Sequence, residues 1–173
     1  MAAAHRPAGR LPFPPGLQAF LEGKLPPGPP PTPRPAATVA LVRDGDNGLE
    51  TFLVRRARGM KFLGGAHVFP GGRVDESDAG PEAAAVREVR EEVAVELDPA
   101  ALRPWSRWIT PEVETRRFDA RFYVAPLPEG QQARAVEGEL VEGCWYRPAD
   151  AVAHAHAGRI VLAPPTLWTL LEL

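Results

Sequence analysis

Two spacings of apolar residues divide this chain. From residue 37 onward short runs read as strands: residues 37–42 and 51–56 are rich in β-branched and aliphatic side chains and flank the turn signal Asp44-Gly45-Asp46-Asn47-Gly48. That pattern predicts a hairpin whose loop is longer than the tightest class. Between residue 81 and about residue 93 the period becomes helical, with Val86, Val89 and Val93 on one side and Glu88, Glu91 and Glu92 on the other. Pro81 sits at a first-turn position, Glu82 follows it, and alanines fill the first half, all marks of a helix start. Further strands are predicted over 103–109, 118–125 and 141–146, and helices over 148–156 and 165–171, each opening on a proline. The order β-β-helix-β-β-β-helix-helix predicts an α+β fold, an α/β/α sandwich with a mixed central sheet, rather than a regular βαβ repeat. No internal repeat is present.

Composition changes this picture at the N-terminus. Of 21 prolines in 173 residues, eleven fall in residues 1–36, including Pro26-Pro27-Gly28-Pro29-Pro30-Pro31. Such a run is extended, because proline neither donates to a ladder nor continues a helix. Residues 1–36 therefore read as a Pro-rich arm, in which residues 16–23 could form two turns of helix, and residues 37–173 as one globular domain. With 20 Lys+Arg against 22 Asp+Glu, a net charge of −2, the chain has no basic excess for holding nucleic acid non-specifically. No apolar stretch approaches the ~18–20 residues of a transmembrane helix, and the start lacks the apolar core of a secretory signal. The single cysteine, Cys144, fits a reducing compartment. A soluble, cytoplasmic protein is expected, without a nucleic-acid or membrane partner.

The chemistry concentrates in Arg87-Glu88-Val89-Arg90-Glu91-Glu92-Val93. Glu88, Glu91 and Glu92 stand at i, i+3 and i+4 on one side of the predicted helix. In an anonymous helix this is an ordinary solvated face. Three clustered carboxylates are also what a hard divalent cation needs, since the ion cancels their repulsion. Arg87 is placed to pair with Glu91 at i+4. Upstream, Phe69-Pro70-Gly71-Gly72 ends a strand in a glycine loop, so a backbone carbonyl near Gly72 could reach the same ion.

These residues resemble the signature of the Nudix hydrolase superfamily, G-x5-E-x7-R-E-U-x-E-E-x-G-U. Gly72 opens the match, Asp78 stands for the first Glu, and eight residues rather than seven lead to Arg87. Glu88, Val89, Glu91, Glu92 and Val95 then agree, with Ala94 in place of Gly. The resemblance implies a Nudix α/β/α sandwich with a catalytic loop-helix. It also implies a metal site of Gly72, Glu88, Glu91 and Glu92 holding Mg²⁺, with Mn²⁺ as a substitute, and Arg87 as orienter. Catalytic roles fall to Glu91, Glu92 and Arg87. Because some members take the base from a later loop, Glu139 and Glu142 are further candidates, and the identity of the base stays open. Asp78, at the non-catalytic acidic position, is expected to cap the loop. The segment from Leu53 through Arg55, Arg56, Ala57, Lys61 and Gly65 to Gly72 also resembles the additional motif of coenzyme A diphosphatases, with Val54 and Lys61 as departures. That implies hydrolysis of CoA or acyl-CoA to 3′,5′-ADP and 4′-phosphopantetheine. The alternatives are an ADP-ribose or dinucleotide diphosphatase and a non-catalytic nucleotide sensor. The partner is then a small nucleotide; a homodimer is left open.

Phosphates need positive groups. Arg55, Arg56, Arg58 and Lys61 precede the glycine loop, and Arg116, Arg117 and Arg121 form a second group. Arg55, Arg56, Lys61 and Arg117 are the chosen ligand-binding candidates, although strand alternation turns Arg55 and Arg56 to opposite faces. His67 is assigned a structural role beside the loop. His154 and His156, two apart on a helix, diverge and make no metal pair. The four tryptophans are expected to pack in the core, with adenine stacking as the alternative. Cys144 is expected to be buried and inert.

Overall fold

The computed structural model describes residues 19, 21–24, 28–60, 63–136 and 140–173. Most of the helix expected over 16–23 lies outside them. Strand β1 (Arg34–Gly45) and strand β2 (Gly48–Arg56) form the first hairpin. Its loop is shorter than the pattern predicts. Gly45 and Gly48 are already paired, leaving only Asp46 and Asn47 to turn the chain, and Gly48 at φ 108° supplies the left-handed step that lets so short a loop close. Strand β1 also starts three residues before the compositional boundary, since Arg34, Pro35 and Ala36 pair in parallel with Phe118, Asp119 and Ala120.

Among the described residues seven strands make one mixed sheet. The others are β3 (His67–Val68), β4 (Gly71–Arg73), β5 (Arg103–Ile109), β6 (Phe118–Pro126) and β7 (Leu140–Tyr146). The path β3-β2-β1-β6-β5 is extended by β4 on β1 and β7 on β2. Beyond their shared turn, β1 and β2 part: β1 takes β4 at Ala36 to Thr38, while β2 takes β3 at Val54 and Arg55. The chain from His67 to Arg73 thus passes from β2 to β1 and carries the glycine pair with it.

Alternation along β1 and β2 fills two separate cores. Ala37, Val39, Leu41, Phe52 and Val54 face helix α1 (Pro81–Val93), which buries Ala84, Ala85, Val89 and Val93 against them. Fully burying each valine contributes roughly 1.5–3 kcal/mol. Ala40, Leu53 and Phe122 face the opposite way, toward helices α2 (Pro148–His156) and α3 (Pro164–Glu172), where Ala151, Ile160 and Leu170 complete a second core. The first turn of α1 is pinned by Tyr123 of β6, whose hydroxyl donates to Glu82 Oε1 at 2.9 Å; its phenol is pushed up to about 12, mainly by burial. At its far end α1 stops on Ala94, which takes the left-handed conformation (φ 56°, ψ 38°) and donates its N–H to the Arg90 carbonyl. No helix among the described residues is long and apolar enough to cross a membrane.

Two expectations about packing are corrected. Trp105 and Trp168 are exposed rather than in the core, and both donate their indole N–H to one carboxylate, Glu172, at 2.9 and 2.7 Å. Trp145 is half-buried, edge-on to Phe52 and capped by the Arg43 guanidinium 4.1 Å from its ring centre. Cys144 is exposed, because among the described residues β7 pairs with β2 alone and lies at the margin of the sheet.

Candidate active site

The loop between β3 and α1 is held by backbone contacts that leave no room for side chains. A Cβ on Gly71, at φ 154°, would overlap the Ala37 carbonyl oxygen and come within 2.7 Å of Thr38 Cα. A Cβ on Gly72 would collide with the Glu88 carboxylate. The two glycines therefore allow β4 to lie flat on β1 while α1 lays a carboxylate directly on the backbone. Pro70 O accepts from Val39 N–H at 2.9 Å, and Gly71 N–H donates to Glu92 Oε2 at 2.9 Å. Glu88 and Glu92 are thus both directed at the glycine pair from adjacent turns of α1.

Arg87 organises the rest. Its Nε and one terminal nitrogen grip Asp78 in a two-pronged pair of 3.0 and 2.9 Å, and the latter nitrogen also donates to the Arg73 carbonyl at 3.0 Å. The other terminal nitrogen donates to Glu88 Oε1 at 2.9 Å and Glu91 Oε2 at 3.1 Å. One guanidinium therefore ties the loop to the helix and faces two of the three glutamates. The Asp78 side chain is only 6% exposed, and besides Arg87 it accepts from Asp75 N–H at 2.8 Å. It caps the loop and also clamps Arg87. The Arg87 hydrogen bonds hold the Asp78 carboxyl below its usual range, and Arg87 in turn is held charged by Asp78 first and then by Glu88 and Glu91. Burial dominates at Glu88 and pushes its carboxyl up, against the pull of Arg87.

These donors suit a hard divalent cation: carboxylate oxygens, a backbone carbonyl at Gly72, and a contact at Gly72 that any Cβ would fill. Among the described residues no three such side chains stand gathered around one point. Glu88 and Glu91 are turned to Arg87, and Glu92 to the Gly71 N–H.

The arginines chosen from the sequence do not join this cluster as a group. Arg56 follows Phe52 and Val54 on the α1 side, paired in register with Leu140 of the same core. Arg55 is on the other face, where its Nε and a terminal nitrogen meet both oxygens of Glu142 at 3.0 and 3.1 Å. Glu142 is thereby held below the usual carboxylate range by Arg55, on the face away from α1. Arg117 is corrected as a ligand-binding candidate. It is 9% exposed and donates to the Thr110 and Pro31 carbonyls at 3.0 and 2.8 Å, fastening the chain before β1 to the β5–β6 connection. Lys61 and Glu139 lie outside the described residues. His67 is buried, its backbone N–H donating to the Val161 carbonyl at 2.7 Å, and burial keeps its imidazole below the ordinary range. Sequence reasoning missed Arg159, which the α2–α3 connection brings beside Arg55 and Arg58.

The model of the NUDIX domain matches residues 32–167. A "Putative nudix hydrolase 7" of Caenorhabditis elegans is 29% identical over 160 residues, covering 70% of this chain and 54% of that protein. The human "Acyl-coenzyme A diphosphatase NUDT19" is 33% identical over 75 residues, 42% of this chain and 20% of that protein. This chain therefore spans about half, or less, of the curated relatives it matches. Among solved structures, a NUDIX hydrolase from Alicyclobacillus acidocaldarius superposes with a TM-score of 0.71 at 26% identity, over 81% of this chain and 90% of that one. With the glycine loop and the glutamates of α1 set in a mixed sheet between helices, this match over most of the chain makes it a member of the NUDIX domain family.

Proposed function

We propose that this chain is a Mg²⁺-dependent diphosphatase that cleaves the P–O–P bridge of a nucleoside diphosphate derivative, with CoA or acyl-CoA as the substrate. The observation that carries this reading is the Arg87 clamp, which fixes Asp78, Glu88 and Glu91 while Glu92 reaches the Gly71 N–H. Glu88, Glu91 and Glu92, with the Gly72 carbonyl, would hold Mg²⁺, and Mn²⁺ would serve in its place. When bound, the cation neutralises charge on the diphosphate and acidifies water. Of the three glutamates Glu91 is the best placed to take the proton of the attacking water, because its side chain is half exposed while Glu88 lies against Gly72. Arg87 keeps Glu91 aimed through its 3.1 Å hydrogen bond, and the water oxygen becomes part of one phosphate as the other leaves with the bridging oxygen.

The choice of CoA rests on the resemblance of residues 53–72 to the coenzyme A diphosphatase motif and on the named activity of the human relative. Purified protein with Mg²⁺ against CoA, acyl-CoA, ADP-ribose, NADH, diadenosine polyphosphates and nucleoside triphosphates tests it. Release of 3′,5′-ADP from CoA, lost in Glu91→Gln, is the expected result. Preference for ADP-ribose would overturn the substrate alone. No turnover of any compound, with Glu91→Gln matching wild type in metal binding, would sink the hydrolase reading.

A further inference from the structure

Two segments far apart in sequence bring three arginines to one cleft on the α2–α3 face of the sheet. Arg55 lies on β2, Arg58 just after it, and Arg159 on the connection from α2 to α3. The floor is a row across three strands, since Arg55 is paired in register with His67 of β3 on one side and Glu142 of β7 on the other. The wall is fixed to the floor by the His67 N–H bond to Val161 and a parallel bridge from His67 to Leu162. The volume is about 470 Å³, within the range of small-molecule pockets. The α1 glutamates do not line it.

The electrostatics are unbalanced in one direction. Three guanidiniums face one carboxylate, and that carboxylate engages only one of them: Glu142 is bonded to Arg55 and stands 3.7 Å from His67 Nε2. Among the described residues neither Arg58 nor Arg159 has a side-chain hydrogen bond or ion pair, and both are exposed. Buried His67 stays neutral, so the cleft carries a net charge of about +2, the complement of a dianion. A tetrahedral phosphate presents enough oxygens for three guanidinium forks, whereas a carboxylate presents two.

We propose that this cleft is a phosphate-binding site, separate from the α1 glutamates, in which Arg55, Arg58 and Arg159 hold a phosphomonoester dianion and Glu142 is the resident anion that it displaces from Arg55. The inference does not depend on the hydrolase reading, because binding is read without turnover. A phosphate held here is not the one attacked. On a substrate it is a distal, non-reacting group, and off a substrate it is a free anion.

Calorimetric titration of the full chain at low salt, with chelator present, tests the site with two probes, inorganic phosphate and adenosine 3′,5′-bisphosphate. Arg58→Gln and Arg159→Gln are each expected to weaken binding about tenfold, the scale of one hydrogen bond to a charged group. Glu142→Gln is expected to tighten it several-fold by removing the competitor. Arg134→Gln, loss of an exposed charge outside the cleft, controls for net charge, and the unfolding midpoint of each variant controls for folding. Tighter binding of the bisphosphate assigns the site to a nucleotide's own phosphate, and equal binding assigns it to the free anion; both uphold the proposal. Binding unchanged in the Arg58→Gln/Arg159→Gln double variant, affinity unchanged or weakened in Glu142→Gln, a loss in Arg134→Gln equal to that in the cleft variants, or no binding of either probe would overturn it.

Discussion

On the α1 side of the sheet, charges are tied to one another around Arg87; on the α2–α3 side, they are open and in surplus. Arg87 meets Asp78, Glu88 and Glu91 within 3.1 Å, with its own side chain one-fifth exposed. Arg58 and Arg159 stand exposed on a cleft whose one carboxylate already faces Arg55. A network of the first kind fixes geometry, because moving any member strands the others in a poorly solvated place. An open surplus of the second kind attracts and orients a ligand but tolerates adjustment, since water solvates whatever is unpaired. The first arrangement suits reacting groups and the second suits recognition.

The strongest way to break this contrast is to exchange the kinetic signatures of the two sides. Glu91→Gln is expected to lower kcat on the preferred substrate by about 10²- to 10⁴-fold, the usual contribution of a positioned proton acceptor. Arg159→Gln is expected to act mainly on KM if the cleft holds part of that substrate. Steady-state kinetics of the pair checks both, and a large kcat loss in Arg159→Gln would dissolve the distinction.

Stability gives the next largest difference. Arg87→Ala leaves Asp78 and Glu88 without their counter-charge, and a loss of about 2–3 kcal/mol is expected in urea unfolding. Arg55→Ala removes a pair whose partner is half exposed, so its cost is expected to be about 0.2–1 kcal/mol. The same clamp sets a pH window. Asp78 in the folded chain titrates below its ordinary 3.8, so the unfolded chain binds more protons as pH falls through that value. The contribution of the pair is therefore complete above that range and lost beneath it. Asp78→Asn is expected to be less stable than wild type at pH 7, with the difference shrinking as pH falls through the depressed range of the folded Asp78 carboxyl, in pH-dependent thermal unfolding.

A smaller effect, of opposite sign, sits at the end of α1. Ala94 holds a left-handed conformation that costs a residue with a Cβ roughly 1–2 kcal/mol. Ala94→Gly is expected to stabilise the protein by about 1 kcal/mol, read as a raised unfolding midpoint, without moving the glutamates. This is the position at which the Nudix signature has glycine, so the departure seen in the sequence has a measurable conformational cost.

How far each feature could be read from the chain depended on how local its causes are. Helix α1 is written within its own residues: Pro81, Glu82, the alanines and the Val89–Val93 stripe determine its start, its buried face and the side on which Glu88, Glu91 and Glu92 emerge. Strands β1, β2, β5, β6 and β7 are legible for the same reason, whereas β3 and β4, two and three residues long, are too short to show a period and are set by their pairing with β2 and β1. The cleft is not, because Arg159 reaches Arg55 only through the bridge of His67 to Leu162, a contact between segments nearly a hundred residues apart. Arg117 reads as a free cation until its acceptors, the Pro31 and Thr110 carbonyls, are placed beside it. Trp105 and Trp168 read as core until Glu172 gives their N–H groups a partner at the surface.

That shared carboxylate makes the seating of α3 an optical event. Trp105 belongs to the edge strand β5 and Trp168 to α3, so Glu172 holds two emitters from different elements in one polar contact. Any movement of α3 away from β5 breaks the Trp105–Glu172 bond while Trp168, on α3 itself, keeps its own, and tryptophan emission then reports that movement with no label attached. In Glu172→Gln, where the charge is gone and the volume kept, the emission is expected to shift while the fold stays intact.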